Sequence, residues 1–269
     1  MTPLAARLRD DIQAQGPIGV DAWMQACLAD PEHGYYMTRD PFGRRGDFIT
    51  APEISQMFGE LLGLWAAVVW QQMGSPNAFR LVEVGPGRGT LMADALRATA
   101  NVPGFAEAVN VHMVETSPAL KAAQEKTLAG AVSPVNWHLD IAEVPDGPMI
   151  LIANEFLDAL PARQFIRHQD AWHERRIDMK RDAFVFVIGE VVDDRDIPAS
   201  LREAEPGSIF EVSDAVRDVT AAISARLVQS GGAALLIDYG HEKSGLGDTL
   251  QALKGHGYAD PLADPGEQD

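Results

Sequence analysis

A glycine-rich stretch is the part of the sequence whose residue types and spacing most directly predict chemistry. Residues 83–90 read Glu-Val-Gly-Pro-Gly-Arg-Gly-Thr and follow a short apolar run, which places Gly85, Gly87 and Gly89 between a strand and a helix. Such a loop lets the backbone approach a ligand while the N–H groups of the helix face it. The spacing is G-x-G-x-G, so it matches neither the G-x-G-x-x-G of dinucleotide-binding proteins nor the Gly-Lys-Ser/Thr of a phosphate-binding loop.

Acidic residues accompany this loop at the predicted ends of successive strands. Glu83 lies inside the first strand, Glu115 ends the second and Asp140 ends the third. These strand ends meet at the carboxyl edge of an open α/β sheet, where such folds bind ligands. A loop without phosphate signatures favours S-adenosyl-L-methionine, with Glu83 facing its cationic methionyl end, Glu115 accepting from both ribose hydroxyls and Asp140 accepting from the adenine amino group. For each acid alone, the alternative is a solvated strand end.

The loop after the next strand contains the candidate catalytic residues Asn154, Glu155 and Asp158. Two acids three residues apart can hold a cationic nucleophile, because a carboxylate pair matches the planar donors of a guanidinium group. The alternative is a helix N-terminus, where acids complement the helix dipole. Both interpretations stay open for Asp158, whereas catalysis is favoured for Glu155. The histidines show no convincing ligand spacing, and no metal is predicted.

The elements that must position these residues alternate from Phe79 onward. Strands and helices follow one another up to residue 154, which predicts a parallel, doubly wound α/β sheet. A helix over 53–73 is predicted before them, with Thr50 and Glu53 at capping-box spacing. Gly59 and Gly63 on this helix indicate a close approach, either by another helix or by a ligand. Residues 163–190 alternate like antiparallel strands and interrupt the core.

The predicted organisation has four parts. They are an N-terminal helical, cofactor-covering segment (1–74), the first part of the core (75–162), an inserted β and loop region (163–212) and the remainder of the core (213–269). The insertion begins with the only locally basic stretch of the chain, residues 163–181. That stretch is a partner site or, as the favoured interpretation, a solvated hairpin.

Composition excludes several classes of function. The net charge of −17 argues against nucleic-acid binding and against docking on an anionic membrane. The longest apolar run, residues 61–70, is about half of the ~20 residues that a membrane helix needs, so no membrane insertion is predicted. A single cysteine, Cys27, predicts a buried thiol and a reducing compartment.

Several blocks together resemble the MidA/NDUFAF7-type family of class I S-adenosyl-L-methionine-dependent methyltransferases. The blocks are residues 33–36 (HGYY), 46–55 (GDFITAPEIS), 83–90, 154–161 (NEFLDALP) and 237–240 (IDYG). The resemblance implies a Rossmann-like core, cofactor binding by Gly85, Gly87, Gly89 and Glu115, and a methyl-transfer pocket lined by Asn154, Glu155 and the 46–55 block. The substrate-pocket residues implied in that block are Asp47, Phe48, Thr50, Pro52, Glu53 and Ser55.

The mitochondrial members of this family methylate an arginine on a subunit of complex I and take part in its assembly. The leading hypothesis is therefore a protein arginine methyltransferase, with a respiratory-complex subunit as one candidate substrate and a homodimer as a candidate assembly. The alternatives are a small-molecule N- or O-methyltransferase and a cofactor-binding assembly factor without turnover; an NAD dehydrogenase is disfavoured by the glycine spacing. A bacterial-type cytoplasmic protein is expected, because no signal peptide or mitochondrial presequence is visible.

Class I cores close with a late antiparallel hairpin, so a chain of 269 residues is expected to be truncated and to expose an edge strand.

Overall fold

The structure is a computed structural model that describes residues 1–39, 47, 50–240 and 245–269. In chain order the helices are α1 (Pro3–Gln15), α2 (Val20–Ala29), α3 (Tyr35–Thr38), α4 (Ala51–Ile54), α5 (Gln56–Gln72), α6 (Thr90–Thr99), α7 (Phe105–Ala108), α8 (Pro118–Thr127) and α9 (Asp214–Ser230). The strands are β1 (Ile18–Gly19), β2 (Phe79–Val84), β3 (Val109–Val114), β4 (Val135–His138), β5 (Met149–Asn154), β6 (Arg163–His168), β7 (Ala171–Lys180), β8 (Ala183–Val191), β9 (Ile209–Val212), β10 (Gly232–Ile237), β11 (Ala252–Lys254) and β12 (Gly257–Ala259).

Contacts between residues divide the chain into two compact units. The first comprises Met1–Tyr35, Ala159–Arg217 and Gly240–Asp269, and the second comprises Tyr36–Asp158 and Asp218–Tyr239. These units differ from the four predicted parts. Residues from 36 onward join the core unit because α5 packs along α6, whereas residues before that join the unit of the inserted strands, where α1, β1 and α2 contact β7.

The second unit contains a parallel sheet in the order β10-β5-β2-β3-β4. Its central strand β2 is buried between apolar side chains on both faces: Leu81 packs in one cluster with α5 and α6, while Val82 and Val84 pack in another with α9. The predicted order of strands and helices is confirmed here. The parallel pairing brings the carboxyl ends of all five strands to one edge.

The two glycines of α5 are explained by helix packing. A Cβ atom on Gly63 would lie 2.6 Å from Ala95 Cα, and one on Gly59 would lie 2.7 Å from Asp94 Cβ. Both neighbours belong to α6, so helix packing is sufficient to require small residues at these positions.

The predicted capping box at Thr50 and Glu53 and the predicted single helix over 53–73 are both wrong. The helix is broken at Ser55, whose extended backbone separates α4 from α5, and the Thr50 side chain makes no capping hydrogen bond. The Glu53 carboxylate is instead used in a contact with the glycine loop, described below.

The first unit contains an antiparallel sheet in the order β1-β7-β6-β9, with β8 paired to β7. This confirms the antiparallel character of the inserted region. Helices α1 and α2 cover the sheet through an apolar cluster that includes Leu4, Trp23 and Ile177, and the Trp23 ring meets Phe184 edge-on at 4.7 Å.

Strand β10 is one of the two edge strands of the parallel sheet, and β4 is the other. Strand β10 pairs with β5 from Gly232↔Met149 to Ile237↔Asn154, and no strand of the described part of the chain pairs with its other side. Among the helices described, none has both the length and the apolar character needed to cross a bilayer.

Candidate functional site

The glycine loop lies at the carboxyl end of the central strand β2. Gly85, Gly87 and Gly89 all have positive φ, at 64°, 53° and 79°. Glycine alone adopts this conformation without steric cost, which explains the three residues. The Gly89 N–H donates to the Pro86 carbonyl at 2.8 Å, and α6 begins directly after it. A Cβ on Gly85 would lie 2.7 Å from the Phe156 ring, so the glycine loop also packs against the loop that follows β5.

Glu115 follows β3, and hydrogen bonds hold both oxygens of its carboxylate. Its Oε1 accepts from the Ser117 backbone N–H at 2.7 Å, and its Oε2 accepts from Gln124 Nε2 at 2.9 Å. Burial raises the pKa of Glu115, while these hydrogen bonds lower it. Each carboxylate oxygen has further lone-pair capacity, so Glu115 can accept a pair of hydroxyl groups from a ligand.

Gln124 is a site residue that sequence reasoning missed. Its fully buried side chain connects three parts of the site: Nε2 donates to Glu115 and, at 2.8 Å, to the Gly87 carbonyl, while Oε1 accepts from Trp137 Nε1 at 2.9 Å. No sequence signal marked it, because a glutamine on α8 resembles any polar helical residue. The contacts exist only because α8 packs beside the loop.

Glu83 is buried inside β2, and the Oε2 atom of its carboxyl group has no hydrogen-bond partner among the described residues. Burial raises its pKa to about 8; a backbone hydrogen bond with Met92 opposes this shift, and the charge of Glu115 adds to it. Burial therefore favours the protonated form of this carboxyl group at neutral pH.

Asp140 lies in the connection between β4 and a short 3₁₀ helix. Strand β4 ends at His138, so Asp140 lies two residues beyond the strand instead of directly at its end. The exposed Asp140 side chain accepts from the Ala142 N–H at 2.8 Å and caps the short 3₁₀ helix over Ile141–Glu143. This local role explains the acid without a ligand, and its adenine contact stays a prediction.

The predicted substrate-pocket block reaches the glycine loop through Glu53. Its Oε1 accepts from Thr90 Oγ1 at 2.6 Å, and its Oε2 pairs with Arg88 Nη1 at 3.4 Å. Thr50, Pro52 and Ser55 lie half-buried in the same segment, as does Asp47, while Phe48 is outside the described residues. The structure therefore brings Glu53 of this block into direct contact with the glycine loop.

The candidate catalytic loop begins at the end of β5. Asn154 and Glu155 are half-buried and Asp158 is exposed. Burial and the neighbouring charge of Asp238 raise the pKa of Glu155. The Asp238 Oδ2 atom accepts from the N–H groups of Leu157 at 2.7 Å and Asp158 at 3.2 Å.

Asp238 belonged to a sequence block that carried the family resemblance, but sequence reasoning gave it no role. Its place after β10 puts it beside the β5 loop only once the parallel pairing of β10 and β5 is known. Within the described residues there is no group of three or more His, Cys, Asp or Glu side chains suited to a metal ion.

The comparisons agree with this geometry. A family model described as "Putative S-adenosyl-L-methionine-dependent methyltransferase" matches residues 61–269. The Drosophila melanogaster "Protein arginine methyltransferase NDUFAF7 homolog, mitochondrial" is 39% identical, over 99% of this chain and 66% of that protein. The Homo sapiens "Protein arginine methyltransferase NDUFAF7, mitochondrial" is 35% identical, over 100% of this chain and 66% of that protein. The chain thus spans about two thirds of the length of the curated relatives it matches.

A solved structure is also similar over nearly the whole chain. It is a COG1565 superfamily member from Burkholderia thailandensis bound to S-adenosyl-homocysteine, with a TM-score of 0.84 and 31% identity. The match covers 99% of this chain and 71% of that one.

Proposed function

This chain belongs to that family of S-adenosyl-L-methionine-dependent methyltransferases, and we propose that it transfers a methyl group from this cofactor to an arginine side chain of a protein. The observation that carries the proposal is the convergence, at one sheet edge, of the glycine loop, Glu115 and the Asn154–Glu155 turn. The names of the relatives support the arginine acceptor.

The residues present fit the cofactor. Glu115 has acceptor capacity for the ribose hydroxyls. Gly85, Gly87 and Gly89 carry no side chains, so a ligand can approach the loop backbone at these three positions. The unpartnered Glu83 Oε2 can accept from the ammonium of the methionyl end, whose positive charge would favour the ionised form of this carboxyl group. Arg88, which pairs with Glu53, supplies a basic group for the carboxylate of that end. When bound, the cofactor supplies an electrophilic methyl carbon attached to a sulfonium.

The chain's own contribution is to position the acceptor and to take its proton. An arginine nitrogen becomes nucleophilic when it loses a proton as the new N–C bond forms and the S–C bond breaks. Glu155 is the group we assign to receive that proton, because its raised pKa makes it a stronger base than an ordinary carboxylate. Asn154 and Asp158 are proposed to orient the guanidinium, since carboxylate and amide oxygens match its fork of donors.

Labelled cofactor separates this function from its alternatives. Incubation with cell lysate, followed by acid hydrolysis of the protein fraction, is expected to give labelled methylarginine. A Glu155→Gln variant should keep an affinity for S-adenosyl-homocysteine within about threefold of that of wild type, but it should lose most of the methyl transfer. Label confined to metabolites would favour the small-molecule methyltransferase. Binding without any label would favour an assembly factor without turnover. A respiratory-complex subunit is one candidate acceptor, as the family resemblance implies.

We also propose that two copies associate through an apolar stripe on α5, formed by Met57, Leu61, Leu64 and Val68. These side chains are 44–62% exposed and are spaced by four, three and four residues, as in a helix-pairing seam. Together they expose on the order of 400 Å² of apolar surface, a size that is often functional and about half of what each partner buries in a typical dimer.

Charge supports a second copy as the occupant of this stripe. In a chain of net charge −17, α5 has Glu60 as its one charged residue, and Arg97 pairs with it. Two such helices can therefore meet without opposing like charges. Sedimentation at ~50 µM should give a dimer for wild type and for Val132→Asp, an exposed control, but a monomer for Leu61→Asp. A monomeric wild type, or a dimeric Leu61→Asp variant, would refute this interface.

The proposed location is a reducing, cytoplasmic compartment. The free thiol of Cys27 is buried, and burial raises its pKa to about 12, as expected of an unreactive structural cysteine.

A further inference from the structure

The turn after β5 has a backbone conformation that its sequence does not favour. Glu155 has φ of 49°, in the left-handed region that side chains other than glycine rarely adopt. Such a conformation persists only where the surroundings hold it, and it is commonly found at functional sites.

The contacts that hold this turn come from the end of β10. The Glu155 N–H donates to the Ile237 carbonyl at 2.8 Å, which continues the pairing of β10 with β5 by one residue. Asp238, the residue after the end of β10, makes the next contacts with its side chain: its Oδ2 accepts from the Leu157 N–H at 2.7 Å and from the Asp158 N–H at 3.2 Å. One carboxylate oxygen thus binds two successive backbone donors of the loop.

The Asp238 carboxylate is itself oriented. Its other oxygen, Oδ1, accepts from the Tyr239 N–H at 2.8 Å, so both oxygens are engaged by backbone donors. The group is also close enough to Glu155 for its charge to raise the pKa of that carboxyl. Two neighbouring acids, one of them with a strained backbone, destabilise the fold. The placement of Asp238 beside Glu155 is therefore better explained by function than by stability.

We infer that Asp238 is a positioning residue, which holds the turn over residues 154–158 so that Asn154 and Glu155 are presented to the methyl acceptor. This inference rests on the proposed methyl transfer and deepens it. Asp238 acts through the backbone of the turn, and the proton of the acceptor still goes to Glu155.

Two substitutions test the inference. Asp238→Ala removes both acceptor oxygens. Asp238→Asn keeps one carbonyl oxygen, which can still accept from the Leu157 and Asp158 N–H groups, but it loses the negative charge and the oxygen that accepts from the Tyr239 N–H. Asp170→Ala, at an exposed position of the β6–β7 connection, is the matched control. Thermal unfolding first confirms that each variant is folded.

The readouts separate positioning from general stability. Amide hydrogen exchange at residues 155–158 should accelerate at least tenfold in Asp238→Ala, less in Asp238→Asn and not in the control. The kcat of methyl incorporation into lysate protein should fall at least tenfold in Asp238→Ala with partial rescue in Asp238→Asn, while KM for S-adenosyl-L-methionine and the affinity for S-adenosyl-homocysteine stay within threefold.

The pH profile gives a further signature. Asp238→Asn removes the negative charge that helps to raise the pKa of Glu155, so the acidic limb of the rate profile should move to lower pH. Unchanged exchange in Asp238→Ala would overturn the inference, as would a loss of cofactor affinity that matches the loss of rate. If wild type itself transfers no methyl group, the proposed function fails, and hydrogen exchange still decides whether Asp238 holds the turn.

Discussion

Replacement of Gln124 by methionine tests whether one buried amide organises the cofactor side of the site. The change keeps the length and approximate volume of the side chain but removes its hydrogen bonds to Glu115, Gly87 and Trp137. The two neutral bonds contribute about 1 kcal/mol each and the bond to the carboxylate about 2 kcal/mol. We therefore expect the free energy of unfolding to fall by about 2–4 kcal/mol.

The same change should weaken the cofactor site. Without Gln124, the carboxylate of Glu115 keeps its backbone donors and loses the hydrogen bond from the Gln124 side chain. Its orientation is then less defined, and its pKa rises further. Titration calorimetry with S-adenosyl-homocysteine should show roughly tenfold weaker binding at pH 8, equivalent to about 1.4 kcal/mol. The deficit should grow at pH 5.5, because a larger fraction of Glu115 is then protonated and cannot accept both ribose hydroxyls.

Glu125→Met is the matched control, since it introduces the same residue at the neighbouring, exposed position of α8. It should change stability by less than about 0.5 kcal/mol and leave affinity unchanged. The reasoning is refuted if Gln124→Met loses stability while binding S-adenosyl-homocysteine as tightly as wild type at both pH values. In that case Gln124 supports the fold without orienting Glu115.

Three further changes probe other parts of the second unit. Glu115→Ala should lower the affinity for S-adenosyl-homocysteine by roughly 30–100-fold, or about 2–3 kcal/mol, in calorimetry, and an unchanged affinity would remove Glu115 from the cofactor site. Burial raises the pKa of Glu83 to about 8 in the folded state, so the folded protein holds this proton more tightly than the unfolded chain does. The free energy of unfolding should therefore be highest below about pH 4.5 and should fall as the pH rises toward 8, by up to about 1.4 kcal/mol per pH unit. Urea unfolding between pH 5 and 8.5 should therefore show a flatter pH dependence for Glu83→Gln than for wild type; parallel curves would contradict this. Gly63→Ala should lower the free energy of unfolding by about 1–3 kcal/mol in urea unfolding, because its Cβ would lie 2.6 Å from Ala95 Cα, whereas Gln71→Ala at an exposed position of the same helix should not.

Local patterns in the sequence were sufficient for the elements of the core. The strands around Leu81, Val111 and Ile150 are apolar runs bounded by turn residues, and periodic helices separate them, so their order and their parallel pairing could be predicted. The glycine loop was equally readable, since positive φ at Gly85, Gly87 and Gly89 is a property of the chain itself.

The spacing of Thr50 and Glu53 was not sufficient to predict their contacts. Their spacing matches a capping box, but Glu53 instead bonds to Thr90, which is 37 residues away in sequence. Local spacing cannot distinguish a cap from a tertiary contact, because both use the same carboxylate. The choice between helix packing and ligand contact at Gly59 and Gly63 required the position of α6.

The sequence by itself determined the family resemblance, the glycine loop and the acids at the strand ends, because each is written in neighbouring residues. Only the tertiary structure decided which groups hold those acids and turns. Gln124 meets Gly87 across 37 residues, and Asp238 meets Leu157 across 81, through contacts that exist once α8 and β10 have packed. The physical reason is that a hydrogen bond depends on distance and direction in space, and the sheet, rather than the order of residues, brings these partners within reach.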